Sequence, residues 1–328
     1  MAAGRGLLNP IARGDLLVQH AGVITTRDLA ARVEGASVAQ QVGTSLALRS
    51  LEPDGPARHR LLAGGALLYG GPGMYVNWGI GLGLRRPVTA EDLDQVEAFY
   101  DDVGAPAELE LCPLAIDIEA VLEVTTARGW SLTSLRPTFL LDLSARARTA
   151  PPVAPVPAFR TVDDGSLAVW QAILATGFSQ TEGGAREVSD RFSAGAHGAP
   201  GALDLVIEVD GRPAGACSVT IGPGGVAWLG GMTVLPEHRD RGLQQVALDH
   251  RVTLARDAGC DVAAVGALHG GPSSRNVQRA GFAMAWTNAV VRRPASRGAA
   301  SDAGAPATRP SIRRPPADCE QPPSSGLR

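Results

Sequence analysis

The sequence predicts a mixed α/β protein made of two consecutive units. Apolar runs of strand length alternate with segments of helical spacing. A proline-rich stretch, Ala150 to Pro157, divides the chain near its middle, stiff and unable to continue a helix or a central strand. The order strand, helix, strand, helix, strand recurs on both sides of it, which points to an internal duplication. At 328 residues the chain is long enough for two domains that each bury a core.

In the N-terminal half, Leu61 to Tyr69 and Met74 to Leu82 read as a strand pair across the turn Gly70-Gly71-Pro72-Gly73. Thr89 opens a helix through Tyr100, with Glu91 and Asp92 in its first turn, where the helix dipole favours negative charge. Ala107 to Leu111 is a strand, Ile116 to Arg128 a helix closed by Gly129, and Thr138 to Leu143 a strand. Trp78 and Trp130 are expected in the core.

In the C-terminal half, Leu167, Trp170, Ile173 and Leu174 give Ser166 to Thr176 helical spacing. Leu203 to Val209 and Pro213 to Ile221 form a hairpin across Asp210-Gly211. Val226 to Val234 is a third strand and Gly242 to Ala258 a helix closed by Gly259. Val262 to Leu268 is a strand, Ser274 to Ala280 a short helix ended by Gly281, and Ala283 to Val291 the last strand. Beyond Arg293 the apolar pattern is lost, and the tail, 294–328, is expected to be disordered.

Composition narrows the function. A net charge of −3 gives no reason to expect nucleic acid or an anionic membrane as partner. All basic residues are arginine, so a lysine Schiff base and a lysine-dependent phosphate loop are both excluded. There is no G-x-G-x-x-G after a strand. Cys112, Cys217, Cys260 and Cys319 show no metal-ligand spacing, and the first three sit in or beside apolar runs, as buried thiols do. No metal site is expected. No run is long and apolar enough for a membrane span, and Met1 to Asn9 is too short for a secretory signal, so a cytoplasmic protein is expected.

The chemistry is concentrated between Trp228 and Phe282. A strand ending at Val234 is followed by Leu235-Pro236-Glu237-His238-Arg239-Asp240-Arg241-Gly242-Leu243-Gln244-Gln245 and then by a helix. A basic, glycine-containing loop that opens a helix is an anion site, because the first helical amides are unpaired and the dipole favours negative charge there. Further on, Ser273-Ser274-Arg275-Asn276-Val277-Gln278-Arg279-Ala280-Gly281-Phe282 is a polar helix leading into a Gly-Phe turn.

These two segments, in this order, resemble the pyrophosphate loop and the later asparagine-bearing helix of GNAT acetyltransferases. The family's loop reads Gln/Arg-x-x-Gly-x-Gly/Ala. Arg239 and Gly242 fill the first and fourth places, and Gln244 departs from the sixth. The resemblance implies a C-terminal acetyltransferase domain, 158–293, joined by a linker, 149–157, to a degenerate GNAT-like N-terminal domain, 1–148. It implies acetyl-coenzyme A as co-substrate, with Met232, Thr233 and Val234 beside the pantetheine arm. Arg239, Asp240, Arg241, Gly242, Leu243, Gln244 and Gln245 would hold the pyrophosphate, with Asn276 nearby. The acceptor would be a small-molecule or peptide amine.

Glu182 and Glu208 are the candidate bases, with Glu237 and His238 as alternatives more readily solvated. Where many members carry a tyrosine on the late helix as the thiol's general acid, this chain has Val277. That departure leaves a non-catalytic acyl-coenzyme A binding or regulatory module as the second reading. The N-terminal half has Gly83-Leu84-Arg85-Arg86-Pro87-Val88 where the loop belongs, and Pro87 removes an amide there. It is expected to shape the acceptor pocket or to pack as a pseudo-dimer partner within the chain; a homodimer is the other arrangement.

Overall fold

A computed structural model describes residues 25–144, 156–179 and 183–295. The N-terminal half contributes α1 (Arg27–Leu51), β1 (Arg58–Leu62), β2 (Gly65–Tyr69), β3 (Gly79–Ile80), α2 (Ala90–Asp101), β4 (Ala107–Leu111), α3 (Ile118–Ala127) and β5 (Ser131–Asp142). The C-terminal half adds β6 (Ala158–Thr161), α4 (Leu167–Gly177), α5 (Gly183–His197), β7 (Ala202–Val209), β8 (Arg212–Ile221), β9 (Val226–Val234), α6 (Leu243–Asp257), β10 (Val262–Gly266), α7 (Pro272–Arg279) and β11 (Ala283–Arg293). No helix among the described residues is long and apolar enough to cross a membrane. Most of the linker, the tail beyond 295, Cys319 and Glu182 lie outside the described residues.

The strands form one mixed sheet in the order β1-β2-β3-β4-β11-β5-β10-β9-β8-β7-β6. Its two arms repeat each other. β1, β2, β3 and β4 are paired as β7, β8, β9 and β10 are, each series antiparallel until its last pair, which is parallel. In both arms a helix connects that parallel pair, α2 in one and α6 in the other. The fold is therefore two tandem units of the same plan.

The units are interlocked at the centre. β11 lies between β4 and β5, and β5 in turn pairs with β10. Each half thus supplies a strand to the other's sheet, and neither inner edge is left with unpaired backbone groups. A polar chain reinforces the joint: Arg136 on β5 bonds Glu110 at 2.7 Å and Glu108 at 3.1 Å on β4. Asn288 on β11 donates to Glu110 and to the buried Glu34 of α1, at 2.8 and 3.0 Å. The proline-rich linker divides the chain without dividing the sheet.

Three local expectations are corrected. Leu61 to Tyr69 is two strands, turned at Ala63-Gly64, where both residues have positive φ (48° and 81°) and Leu62 pairs with Gly65. That is the geometry of a primed two-residue turn, but alanine at its first position hides it in the sequence. Met74 to Leu82 is mostly loop, and only Gly79–Ile80 joins the sheet. Asn77 accepts from the Gly70 amide at 2.8 Å and donates to the Gly71 carbonyl at 2.7 Å, diverting this backbone from a ladder. Trp78, expected in the core, is half-buried; Trp130 is buried in the N-terminal core.

Two helices escaped the apolar pattern, α1 and α5. Both are packed through small residues. A Cβ on Gly43 of α1 would press on Pro200, and one on Gly195 of α5 would press on Leu48. The close approach that these glycines allow lets α1, from the N-terminal half, lie across α5 and onto β9 and β10. There Ala30, Val33 and Ala36 join Val226, Val262 and Ala264 in one core. Arg191 of α5 clamps Glu52, at the end of α1, with bonds of 2.8 and 2.7 Å.

Candidate active site

β9 and β10 run parallel but pair only from Val226 to Trp228 on the β9 side. Beyond Trp228, β9 stays on β8 and parts from β10, and a cleft of about 830 Å³ opens at the gap. Met232, Thr233 and Val234 form one wall, the residues opening α6 another, and Pro272, Ser273 and Asn276 of α7 a third. The end of α4 closes in at Gly177, where any Cβ would overlap the Thr233 side chain.

The turn into α6 is built from left-handed residues, Asp240 at φ 60° and Gly242 at φ 73°. Glycine carries the second of these without strain. No side chain caps α6. The amides of Asp240, Arg241, Gly242, Leu243 and Gln244 have no acceptor among the described residues. Free amides at the positive end of a helix dipole, beside Arg239 and Arg241, make a site for a phosphate-bearing ligand. Gln244 turns its side chain to Asn276, which donates to it at 2.5 Å. The Asn276 oxygen accepts in turn from Arg279 at 3.0 Å.

A second cavity, of about 200 Å³, is lined by neighbouring residues of the same two elements. Gly230 and Gly231 line it where Met232 and Thr233 line the cleft, and Leu174 of α4 lines it where Gly177 and Phe178 line the cleft. The two halves share its walls: Gln40, Gln41, Tyr75 and Trp78 come from the N-terminal one, Trp170, Phe192, Asp204, Ser218 and Trp228 from the C-terminal one. At this point the β8–β9 ladder slips register between Ala216 and Ser218. The fully buried Arg251 of α6 holds the slip, donating to the carbonyls of Ser218 and Gly230 at 3.1 Å each. Burial pushes the Arg251 pKa down.

Among the described residues, Asp204 is the one carboxylate lining that cavity. It is buried, and His197 at the end of α5 meets it through Nδ1 at 2.8 Å. Desolvation raises its pKa, against hydrogen bonds from His197 and Ser218 that lower it.

Residues 170–282, from within α4 to the residue before β11, match the acetyltransferase (GNAT) family model. The C-terminal half carries a GNAT domain. Among solved structures, the chain is similar to a GCN5-related N-acetyltransferase from Kribbella flavida, at 15% identity and a TM-score of 0.56. That match covers 79% of this chain and 96% of the other, so it takes in both halves. A conserved protein of unknown function from Staphylococcus epidermidis is similar at 12% identity and a TM-score of 0.50, over 76% of this chain and 98% of its own. At these identities the likeness is one of fold. No curated protein matches the sequence.

Of the cofactor residues expected from sequence, the GNAT domain brings Met232, Thr233, Val234, Arg239, Asp240, Gly242, Leu243, Gln244, Gln245 and Asn276 to the cleft, and Arg241 stands outside its lining. His238, taken as a solvated alternative base, lines the cleft, with a buried Nδ1 that has no partner. Glu208 is paired with Arg160 on β6 at 2.8 Å and lines neither cavity. Val277 packs in the core of the GNAT domain. Sequence reading missed Asp204 and His197. The available signal was an aspartate between Leu203 and Leu205 in a strand otherwise apolar up to Glu208; its histidine partner lay in a helix that the apolar pattern did not reveal.

Proposed function

We propose that this protein transfers an acetyl group from acetyl-coenzyme A to a primary amine. The observation that carries the reading is the uncapped start of α6, its free amides facing a cleft between strands that have parted. The fit to a coenzyme A pyrophosphate rests on those amides, on Gly242, whose lack of a Cβ lets the backbone approach closely, and on Arg239. Met232, Thr233 and Val234 would flank the pantetheine arm, and Asn276, fixed by Gln244, would stand beside it. The co-substrate would supply the acyl group as a thioester.

The chain's own part is positioning and proton handling. Holding amine and thioester in adjoining cavities replaces a bimolecular encounter by an oriented one, a gain of several powers of ten in rate. A carboxylate near the amine keeps its nitrogen unprotonated. Within this reading the N-terminal half, 1–148, is a GNAT-like unit that walls the acceptor cavity and carries no donor site of its own. The buried thiols of Cys112, Cys217 and Cys260 suit a reducing cytoplasm.

Val277, buried where a phenol would serve as acid, favours the second reading, an acyl-coenzyme A binding module without turnover. Thermal unfolding with and without acetyl-coenzyme A, followed by an assay of thiol release across an amine panel, tests both. Stabilisation with thiol release supports the transferase, and stabilisation without it supports the module. Absence of stabilisation at millimolar acetyl-coenzyme A would overturn both.

A further inference from the structure

The cavity between the halves is more selective than a generic amine site. Among the described residues its lining holds five aromatic residues, Tyr75, Trp78, Trp170, Phe192 and Trp228, and one formal charge, Asp204. The walls are fixed: Trp78 donates Nε1–H to Gln41 at 2.8 Å and carries the Arg136 guanidinium 4.2 Å from its ring centre. Tyr75 and Phe192 meet edge to face at 5.4 Å. Trp170 is 1% exposed, yet its indole nitrogen has no acceptor. A buried N–H without a partner is costly, and an oxygen on a ligand would satisfy it.

Size bounds the ligand. At about 200 Å³ the cavity is smaller than pockets for drug-sized ligands, ~300–1,000 Å³, and suits about ten non-hydrogen atoms. Polyamines would bring a second cation to a cavity that has one carboxylate among the described residues, whose aromatic walls offer no further anion.

Resting on the reading of the adjoining cleft as the acyl-donor site, we propose that the acceptor is a compact arylalkyl primary amine bearing a ring oxygen. Its ammonium sits on Asp204, its ring lies among the aromatic walls, and its oxygen takes the Trp170 N–H. Asp204 is the base, and His197 is a positioning residue that holds it from behind. One proton leaves the ammonium for Asp204, freeing the nitrogen lone pair. That pair forms the C–N bond to the acyl carbon as the C–S bond breaks, and the nitrogen's second lost proton balances the departing thiolate. His197, 23% exposed, stands between Asp204 and solvent. The other titratable or charged groups near Asp204 are Tyr75 across the cavity, Cys217 on β8, and the buried Arg251 of α6, which reaches the Ser218 carbonyl.

The test uses the full chain and three readouts: acetyl-coenzyme A binding by thermal shift, amine binding by tryptophan fluorescence, and thiol release. Tyramine is expected to give a kcat/KM at least about 100-fold above spermidine and above a lysine-containing peptide. Asp204→Asn is expected to lower kcat/KM for tyramine by about 100-fold or more with donor binding unchanged. His197→Ala is expected to move the acid limb of the kcat/KM profile to higher pH, since His197 lowers the Asp204 pKa, and His197→Asn to restore part of it.

If Asp204→Asn does not fold, Gly230→Val serves instead. A Cβ at Gly230 meets nothing within 4 Å, so the first carbon of the new side chain has room, and the variant should lose tyramine binding while keeping the donor shift. Donor binding with a preference for spermidine or the peptide, or with full activity in Asp204→Asn, overturns the proposal alone. Loss of any donor shift in the parent protein overturns the donor reading and the proposed acceptor role with it.

Discussion

The two arms of the sheet each connect a parallel strand pair through a helix, and the two helix starts are finished in opposite ways. At α2 the protein supplies its own anion. Asp92 accepts from the Thr89 amide at 2.9 Å, Thr89 Oγ1 accepts from the Asp92 amide at 3.2 Å, and Arg86 clamps the carboxylate at 2.6 and 2.8 Å. At α6 the same position is left open, with no side-chain cap and arginines but no clamp. A capped start stabilises the fold and an open one waits for a ligand. The duplicated plan thus ends in one arm on a cap that the chain supplies itself and in the other on free amides, which on the proposed reading take the co-substrate.

Two buried carboxylates extend the contrast. Asp92 is paired with a cation, and its pKa falls to about 2, chiefly through the hydrogen bond from Arg86. Glu34, at the joint between the halves, has neutral donors in Trp286 and Asn288 and a like charge in Glu110. Desolvation first, and Glu110 second, raise its pKa to about 7.

The largest expected effect breaks the open start. Gly242→Glu puts a side chain at φ 73° and a negative charge among the free amides. Acetyl-coenzyme A should then produce no thermal shift, a loss of at least about 100-fold in affinity measurable by calorimetry.

Next is Glu34→Gln. An acid whose folded pKa is raised binds more protons folded than unfolded between about 4.5 and 7, so its effect on stability worsens as pH rises through that window. The variant should flatten that slope and gain roughly 2–3 kcal/mol at pH 8 in urea unfolding.

Asp92→Ala should cost about 1–2 kcal/mol at pH 7 by the same measurement. Because the folded pKa of Asp92 is depressed, the wild-type advantage should hold above about pH 4 and fade as pH falls towards 2. In a Gly242→Glu background it should not create a donor site, since Pro87 still lacks an amide. A rescued thermal shift there would show that the cap alone separates the two arms.

The smallest effect sharpens the comparison. Gln244→Gly frees the Asn276 amide and should change acetyl-coenzyme A affinity by only about three-fold, read by titration. A change beyond ten-fold would mean that the Gln244–Asn276 bond governs the site.

Much of this was legible in order along the chain. β9, the hairpin of β7 and β8, and α6 follow local signals: an apolar run, Asp210-Gly211, and Gly259 after the last helical residue. The geometry of the turn from Arg239 to Gln245 was legible because a glycine just before a helix marks a left-handed residue and an uncapped start. α1 and α5 were not, because their contacts are made by Gly43, Ala36, Ser193 and Gly195, residues with little apolar signal whose value lies in how close they let helices come. The hairpin at Ala63-Gly64 was hidden because alanine rarely takes a positive φ.

By itself the sequence determined most elements of the C-terminal half, from α4 and the β7–β8 hairpin to α6, α7 and β11, and the glycine that starts α6, all set by neighbours within a few residues. Only the tertiary structure decided that β5 and β11 pass into each other's half, and that Asp204, held from behind by His197, lines one cavity with Trp170, Tyr75 and Trp78. Such meetings depend on strand pairing and helix packing between segments far apart in the sequence, and no local pattern encodes them.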